Sequence, residues 1–209
     1  RRSQEDADHL VAELEGRGVR VAAFQVEVED EDGTTAMVRQ LEADWGGIDV
    51  VVNNAGISQN LPLALLDIED FDRVMGVNVR GAYITSRAVL RGMIRRKSGV
   101  VLHIGSLAGV RMIEAPIHYC ASKAALVGMT QAMAKEVARY NVRVVCLAPG
   151  LLEDGVGRNL PEHRLADYLK HCSLGRVGNF DEVAEMAAFM VSDAASYMTG
   201  ETIVMDGGV

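Results

Sequence analysis

Ile48-Asp49-Val50-Val51-Val52-Asn53-Asn54-Ala55-Gly56 is the stretch on which the fold turns. Its first half is a short, nearly all-apolar run, the composition of a strand buried on both faces in a parallel sheet. Its second half is a turn of small residues at the strand's carboxyl end, where open parallel sheets bind their ligands. Asn and Gly are also ordinary turn formers, so the turn alone leaves both readings open.

Reading outward, helical and strand patterns alternate to the end of the chain. Helices are expected at 3–16, 34–45, 68–75, 80–96, 117–140 and 181–191. Strands are expected at 19–26, 48–52, 100–104, 142–147 and 202–206. This alternation describes an α/β fold, a parallel sheet covered on both faces in three α/β/α layers. Residues 151–175 mix Gly, charges and short helical pieces and read as an insert rather than core. No repeat, low-complexity tract or linker interrupts the sequence, which predicts one domain over 1–209.

Composition agrees. A 209-residue chain buries roughly 70% of its unfolded surface and needs no metal or disulfide to stay folded. Hydrophobic residues make up 49% and charged residues 24%, which excludes a disordered or collagen-like chain. No run reaches the roughly 18 apolar residues of a membrane span. Twenty-one basic against 29 acidic residues leave a net charge of −8, which argues against nucleic acid as a partner. Cys120, Cys146 and Cys172 lack CxxC spacing, so a reducing, cytoplasmic compartment is expected and a zinc site is not. The five histidines show no metal spacing, and His118 reads as a wall of the substrate pocket.

Three further motifs carry chemistry. Tyr119 and Lys123, in His118-Tyr119-Cys120-Ala121-Ser122-Lys123, share one helical face. A cation beside a phenol lowers its pKa and suits it to acid/base work, although a core Tyr with a snorkelling Lys gives the same spacing. Ser106, at the end of strand 100–104, can hydrogen-bond a substrate oxygen or cap the next turn. Asn78, in Val77-Asn78-Val79-Arg80-Gly81, is either a local helix breaker or a placed hydrogen-bonding side chain.

Together these motifs resemble the short-chain dehydrogenase/reductase family. The Asn53-Asn54-Ala55-Gly56 turn, the Asn78 segment, Ser106, the Tyr119/Lys123 pair and Pro149-Gly150 follow the family's order and spacing. Further matches run through Leu174-Gly175-Arg176 and Tyr197-Met198-Thr199-Gly200 to Asp206-Gly207-Gly208, so the resemblance spans the chain. It is nearest to the 3-oxoacyl-carrier-protein reductases and polyketide ketoreductases. The resemblance implies a Rossmann-like, doubly wound sheet and a catalytic tetrad of Asn78, Ser106, Tyr119 and Lys123. In it Tyr119 exchanges the proton, Ser106 holds the carbonyl oxygen, Lys123 lowers the Tyr119 pKa and grips the nicotinamide ribose, and Asn78 anchors a relay water. Asn54, Ala55 and Gly56 would line the adenosine and ribose region, and Pro149, Gly150 and Leu152 would meet the nicotinamide.

The sequence also departs from the family. No TGxxxGxG loop occurs; the first strand–turn–helix and the second strand, roughly 30 residues or more, are expected to belong to a longer gene product. Glu27, followed by Val28, replaces the usual Asp near the adenine, and Asp154 replaces a Thr that commonly bonds the carboxamide. Ser173 and Phe180 stand where prolines are common. Arg1 and Arg2 would sit where the ribose 2′-position is read, which favours NADP(H) over NAD(H).

The expected activity is therefore NADP(H)-dependent reduction of a ketone, a 3-oxoacyl or polyketide thioester on acyl carrier protein. The alternatives are a dehydrogenase of a small secondary alcohol, sugar or acyl-CoA, and a catalytically silent nucleotide-binding regulator. Arg95, Arg96, Lys97 and Arg139 form a basic cluster that suits an acidic carrier protein or simply offsets a helix dipole. Residues 151–175, with Leu151, Leu152, Val156 and Leu160, are expected to form a partly apolar substrate lid. The resemblance also implies a homotetramer packed through helices 80–96 and 117–140. Ala121, Ala125, Gly128, Ala132 and Val137 recur there at helical spacing, facing either sheet or partner.

Overall fold

Two buried valine-rich runs build the centre of the molecule. In the computed structural model, which describes residues 4–155 and 161–209, four parallel strands follow one another across a single sheet. They are β1 (Val50–Asn53), β2 (Gly99–Ile104), β3 (Val142–Pro149) and β4 (Thr202–Met205). Parallel neighbours need crossovers, and these are supplied by α3 (Ile68–Met75) and α4 (Gly81–Arg96), then α5 (Ile117–Val137), then α6 (Glu162–His171) and α7 (Phe180–Val191). Two helices, α1 (Gln4–Gly16) and α2 (Glu31–Trp45), precede the sheet.

Side chains alternate along a strand, and here each set meets its own helical layer. Val101, Val142 and Val144 pack with Val89 and Met93 of α4, Val137 of α5 and Val38 of α2. Leu102, Val145 and Leu147 pack against Met190 of α7. The three-layer architecture read from the sequence is thus observed.

β1 is different. Val51 joins the α4 side, whereas Val50 and Val52 point to the other face and are 40% and 48% exposed. The expected strand at 19–26 does not form: those residues have no ladder, and Val19 is half exposed. A β-rich run becomes a strand only when another edge pairs with it, and this run pairs with none of the described strands.

Three local features position the site. Between α3 and α4 the chain makes a π turn over Gly76–Arg80, centred on Asn78; such wide turns are common at functional sites. α5 buries His118, Ser122, Leu126, Thr130, Ala134 and Val137. Ala121, Gly128 and Ala132 lie on the exposed side, so of the small-residue stripe only Val137 is buried in the core. α7 starts with a capping box in which Asn179 and Glu182 satisfy each other's backbone donors. Its start is joined to the end of β3 through the Leu152–Gly178 bridge.

Candidate active site

A cleft of about 390 Å³ lies at the carboxyl ends of the strands, the position where an open parallel sheet receives a ligand. Ser106, Tyr119 and Lys123 line it with Asn54, Gly56 and the backbone of Pro149–Leu152. The order of elements explains the convergence. Asn54 and Gly56 follow β1, Ser106 follows β2, Tyr119 and Lys123 come from the first turns of α5, and Pro149 ends β3.

Lys123 is 5% exposed, and its ammonium donates to the Ile104 carbonyl at 2.7 Å. That single bond leaves two N–H donors. Burial holds its pKa down to about 8, partly opposed by Cys146. Its Nζ stands 5.7 Å from the centre of the Tyr119 ring. Burial raises the Tyr119 phenol above its ordinary value, and a hydrogen bond with Ser106 pulls it back. Ser106 is thus a side chain whose hydrogen bond opposes burial at Tyr119. Ser106 also caps the Leu107–Gly109 turn, accepting from Ala108 N at 3.2 Å, the second of its two sequence readings.

Asn78 stands behind the cleft wall, 1% exposed. Its Oδ1 accepts from Ile57 N at 2.8 Å, and its Nδ2 donates to Ile57 O at 3.0 Å and to Ser122 Oγ at 2.9 Å. Ser122 in turn donates to the Tyr119 carbonyl at 2.8 Å. This buried chain ties the π turn, the post-β1 turn and the helix bearing Tyr119 and Lys123 into one unit. Ser122 was not singled out in the sequence, although its place beside Lys123 on the buried face was available as a signal.

A polar row crosses the sheet beneath Lys123. Asn53, His103 and Cys146 are register partners on β1, β2 and β3. The Asn53 amide nitrogen lies 2.9 Å from Ser86 Oγ and 3.1 Å from His103 Nδ1. Burial and the nearby Lys123 charge lower the His103 pKa to about 4, so the ring is neutral and accepts through Nδ1. His118 corrects its expectation: it is fully buried, neither ring nitrogen has a partner, and it does not line the cleft. Burial lowers its pKa, with Asp70 opposing.

Other expected residues fall elsewhere. Ala55 is exposed, between two residues that line the cleft. Glu27 and Val28 are not on the cleft wall; Val28 abuts Gly81 at the start of α4. Arg1, Arg2, Val156 and Leu160 lie outside the described residues. Of the basic cluster, Arg96 is engaged by the Ile48 carbonyl and by Glu42, Arg95 approaches Glu42, and Arg139 stacks on Tyr140. The sequence reading missed Arg164 and Tyr168, which line the cleft from α6. The Tyr168 hydroxyl accepts from Leu151 N at 3.0 Å and donates to Asp206 O at 3.3 Å.

The cleft fits the nicotinamide-ribose half of a dinucleotide. A Cβ at Gly56 would stand 3.5 Å from both Asn78 Oδ1 and Lys123 Nζ, so the bare glycine leaves room beside the lysine's two spare donors. No Gly-rich phosphate loop occurs among the described residues, so the fit concerns that half alone. Among the described residues no cluster of His, Cys, Asp or Glu could hold a metal ion, and no helix is long and apolar enough to cross a membrane.

Fold and site together define an oxidoreductase of the short-chain dehydrogenase/reductase family, which binds a nicotinamide cofactor, and the chain belongs to that family. The family model described as enoyl-(acyl carrier protein) reductase matches residues 1–209. The 3-oxoacyl-(acyl-carrier-protein) reductase FabG of Thermotoga maritima is 38% identical over 207 residues, 99% of this chain and 84% of the relative. The FabG of Pseudomonas aeruginosa is 35% identical over 208 residues, again 99% and 84%. A crystal structure of a short-chain type dehydrogenase/reductase from Mycobacterium marinum superposes with a TM-score of 0.93 at 32% identity, covering 99% of this chain and 82% of the other. A gluconate 5-dehydrogenase from Burkholderia cenocepacia, in complex with NADP and tartrate, also gives 0.93 at 31% identity, covering 100% and 82%.

Proposed function

We propose that this chain reduces the ketone of a 3-oxoacyl thioester on acyl carrier protein to a secondary alcohol, with NADP(H) as cofactor. The observation that carries the chemistry is the convergence of Ser106, Tyr119 and Lys123 on one cleft, with Asn78 locked behind them. A bound reduced nicotinamide supplies a hydride to the carbonyl carbon. Ser106 and Tyr119 hold the carbonyl oxygen, and the phenol passes its proton to that oxygen as the C–O double bond becomes single. Burial keeps the Tyr119 proton in place near neutrality, which is the state an acid requires. Lys123 stabilises the phenolate left behind, and its spare donors bind the ribose. Asn78 fixes the distance between the Gly56 turn and α5, the role its three bonds equip it for.

The carrier substrate is supported by the FabG relatives and by the apolar lining of Leu107, Ile113, Leu151 and Leu152. NADP is supported by Arg1 and Arg2 in the sequence and by the NADP complex of the gluconate dehydrogenase. The exposed Ala121, Gly128 and Ala132 leave one face of α5 open to a mate, in keeping with a homotetramer; a cytoplasmic location and a lid role for the 151–175 segment, whose described residues Leu151, Leu152, Arg164 and Tyr168 line the cleft, belong to the same reading. A second reading, oxidation of a small hydroxy acid, is favoured by the gluconate dehydrogenase likeness. The test is oxidation of NADPH and of NADH with an acetoacetyl thioester, beside a sugar acid with the oxidised cofactors. Expected is NADPH-linked turnover of the thioester, abolished by Tyr119→Phe. Preference for the sugar acid would overturn the carrier substrate, and no turnover of any ketone would overturn the reductase.

A further inference from the structure

Two charged residues face each other across the cleft. Arg164, in the first turn of α6, forms an ion pair with Glu114 at 2.5 Å, and both line the cleft that contains Tyr119. Glu114 belongs to the segment between the Leu107–Gly109 turn and α5, the wall opposite α6. One helical turn along, Tyr168 pins α6 to Leu151 and Asp206. Residues four apart share a helix face, so the same face that is anchored by Tyr168 presents the Arg164 guanidinium. Among the described residues lining the cleft, only Lys123 and Arg164 are Lys or Arg.

The pair is unequal. The Glu114 side chain is 76% exposed and that of Arg164 is 32% exposed. An exposed carboxylate gains little from such a pair and is readily surrendered to water. A guanidinium, by contrast, keeps several donors in a planar fork suited to a two-oxygen anion. Ile113, Pro116, Leu151 and Phe180 add apolar surface to the cleft, and a second carboxylate, Asp154, also lines it.

We propose that Arg164 is a specificity-determining residue that binds an oxyanion group of the substrate, with Glu114 occupying its place until the substrate arrives. This rests on the reductase reading and adds the class of substrate: ketones that carry an anionic group, either the phosphate of a phosphopantetheine arm or a free carboxylate. On entry the anion takes the guanidinium and Glu114 turns to solvent. No covalent bond changes in this exchange.

The experiment measures KM and kcat for three ketones: an acetoacetyl thioester of phosphopantetheine, the same thioester without phosphate, and a free keto acid. Each is run with the unaltered protein, Arg164→Gln and Glu114→Gln. For an anionic substrate Arg164→Gln is expected to raise KM roughly tenfold, the scale of one charge-assisted hydrogen bond. Glu114→Gln, which frees the guanidinium, is expected to lower it, and the neutral thioester should respond to neither change. The substrate whose KM responds identifies the phosphate or the carboxylate as the source. If the pair merely braces α6, both variants shift KM in the same direction for all three ketones, which overturns the proposal. Turnover of the neutral thioester that depends on Tyr119 separates this outcome from failure of the reductase reading.

Discussion

The two cations of the cleft are held in opposite ways. Lys123 is buried, bonded to a backbone carbonyl and depressed to about pKa 8, whereas Arg164 is about one-third exposed and faces a carboxylate that water can take. The first is fixed by the sheet and α5. The second is positioned by an anchored helix and can change partners. A cation that must act on every turnover is built into the core, and one that selects substrates is left at the surface.

The contrast breaks most easily at the buried end. Lys123→Met removes the charge beside Tyr119 and should lower kcat by roughly a hundredfold or more, the range for a lost acid–base partner, as measured by NADPH oxidation. A pH series sharpens the same point. The folded pKa of Lys123, about 8, lies below the unfolded value near 10.4. Between those values the unfolded chain binds the extra proton, so this group's contribution to stability rises with pH across the window and is unfavourable below it. Turnover should run the other way, falling as pH passes 8 and the ammonium is lost. Melting temperature and rate measured together should therefore diverge, and Lys123→Met should flatten the stability trend. The smallest effect belongs to the surface pair. Glu114→Gln should change unfolding free energy by less than about 1 kcal/mol, visible as a shift of a few degrees at most in the melting temperature.

The two strand readings at the margins of the sheet show what one dimension can carry. β2 and β3 were legible because their runs are apolar on both faces and are paired and covered on both. The 19–26 run has the same local composition, yet it makes no ladder, since pairing belongs to a partner and not to the run itself. The site divides similarly. Tyr119 and Lys123 were legible from helical spacing, and Ser106 from its place at a strand end. The Asn78–Ser122 bond joins residues 44 positions apart, and the Glu114–Arg164 pair joins residues on separate elements. No periodicity encodes either. His118 was misread because its neighbour Tyr119 faces the cleft, while successive helical residues face directions about 100° apart.

The same angular arithmetic gives the Gly76–Arg80 π turn a further meaning. It holds one residue more than an ordinary turn between α3 and α4, and Asn78 sits on that bulge with all its amide atoms engaged. Because the wider turn absorbs its extra residue, deleting one would close an ordinary helix and leave α3 and α4 in phase, at the expense of the Asn78 bonds to Ile57 and Ser122. The turn is thus slack built into a continuous helix: its extra residue brings the asparagine to the post-β1 turn and to the catalytic helix at once.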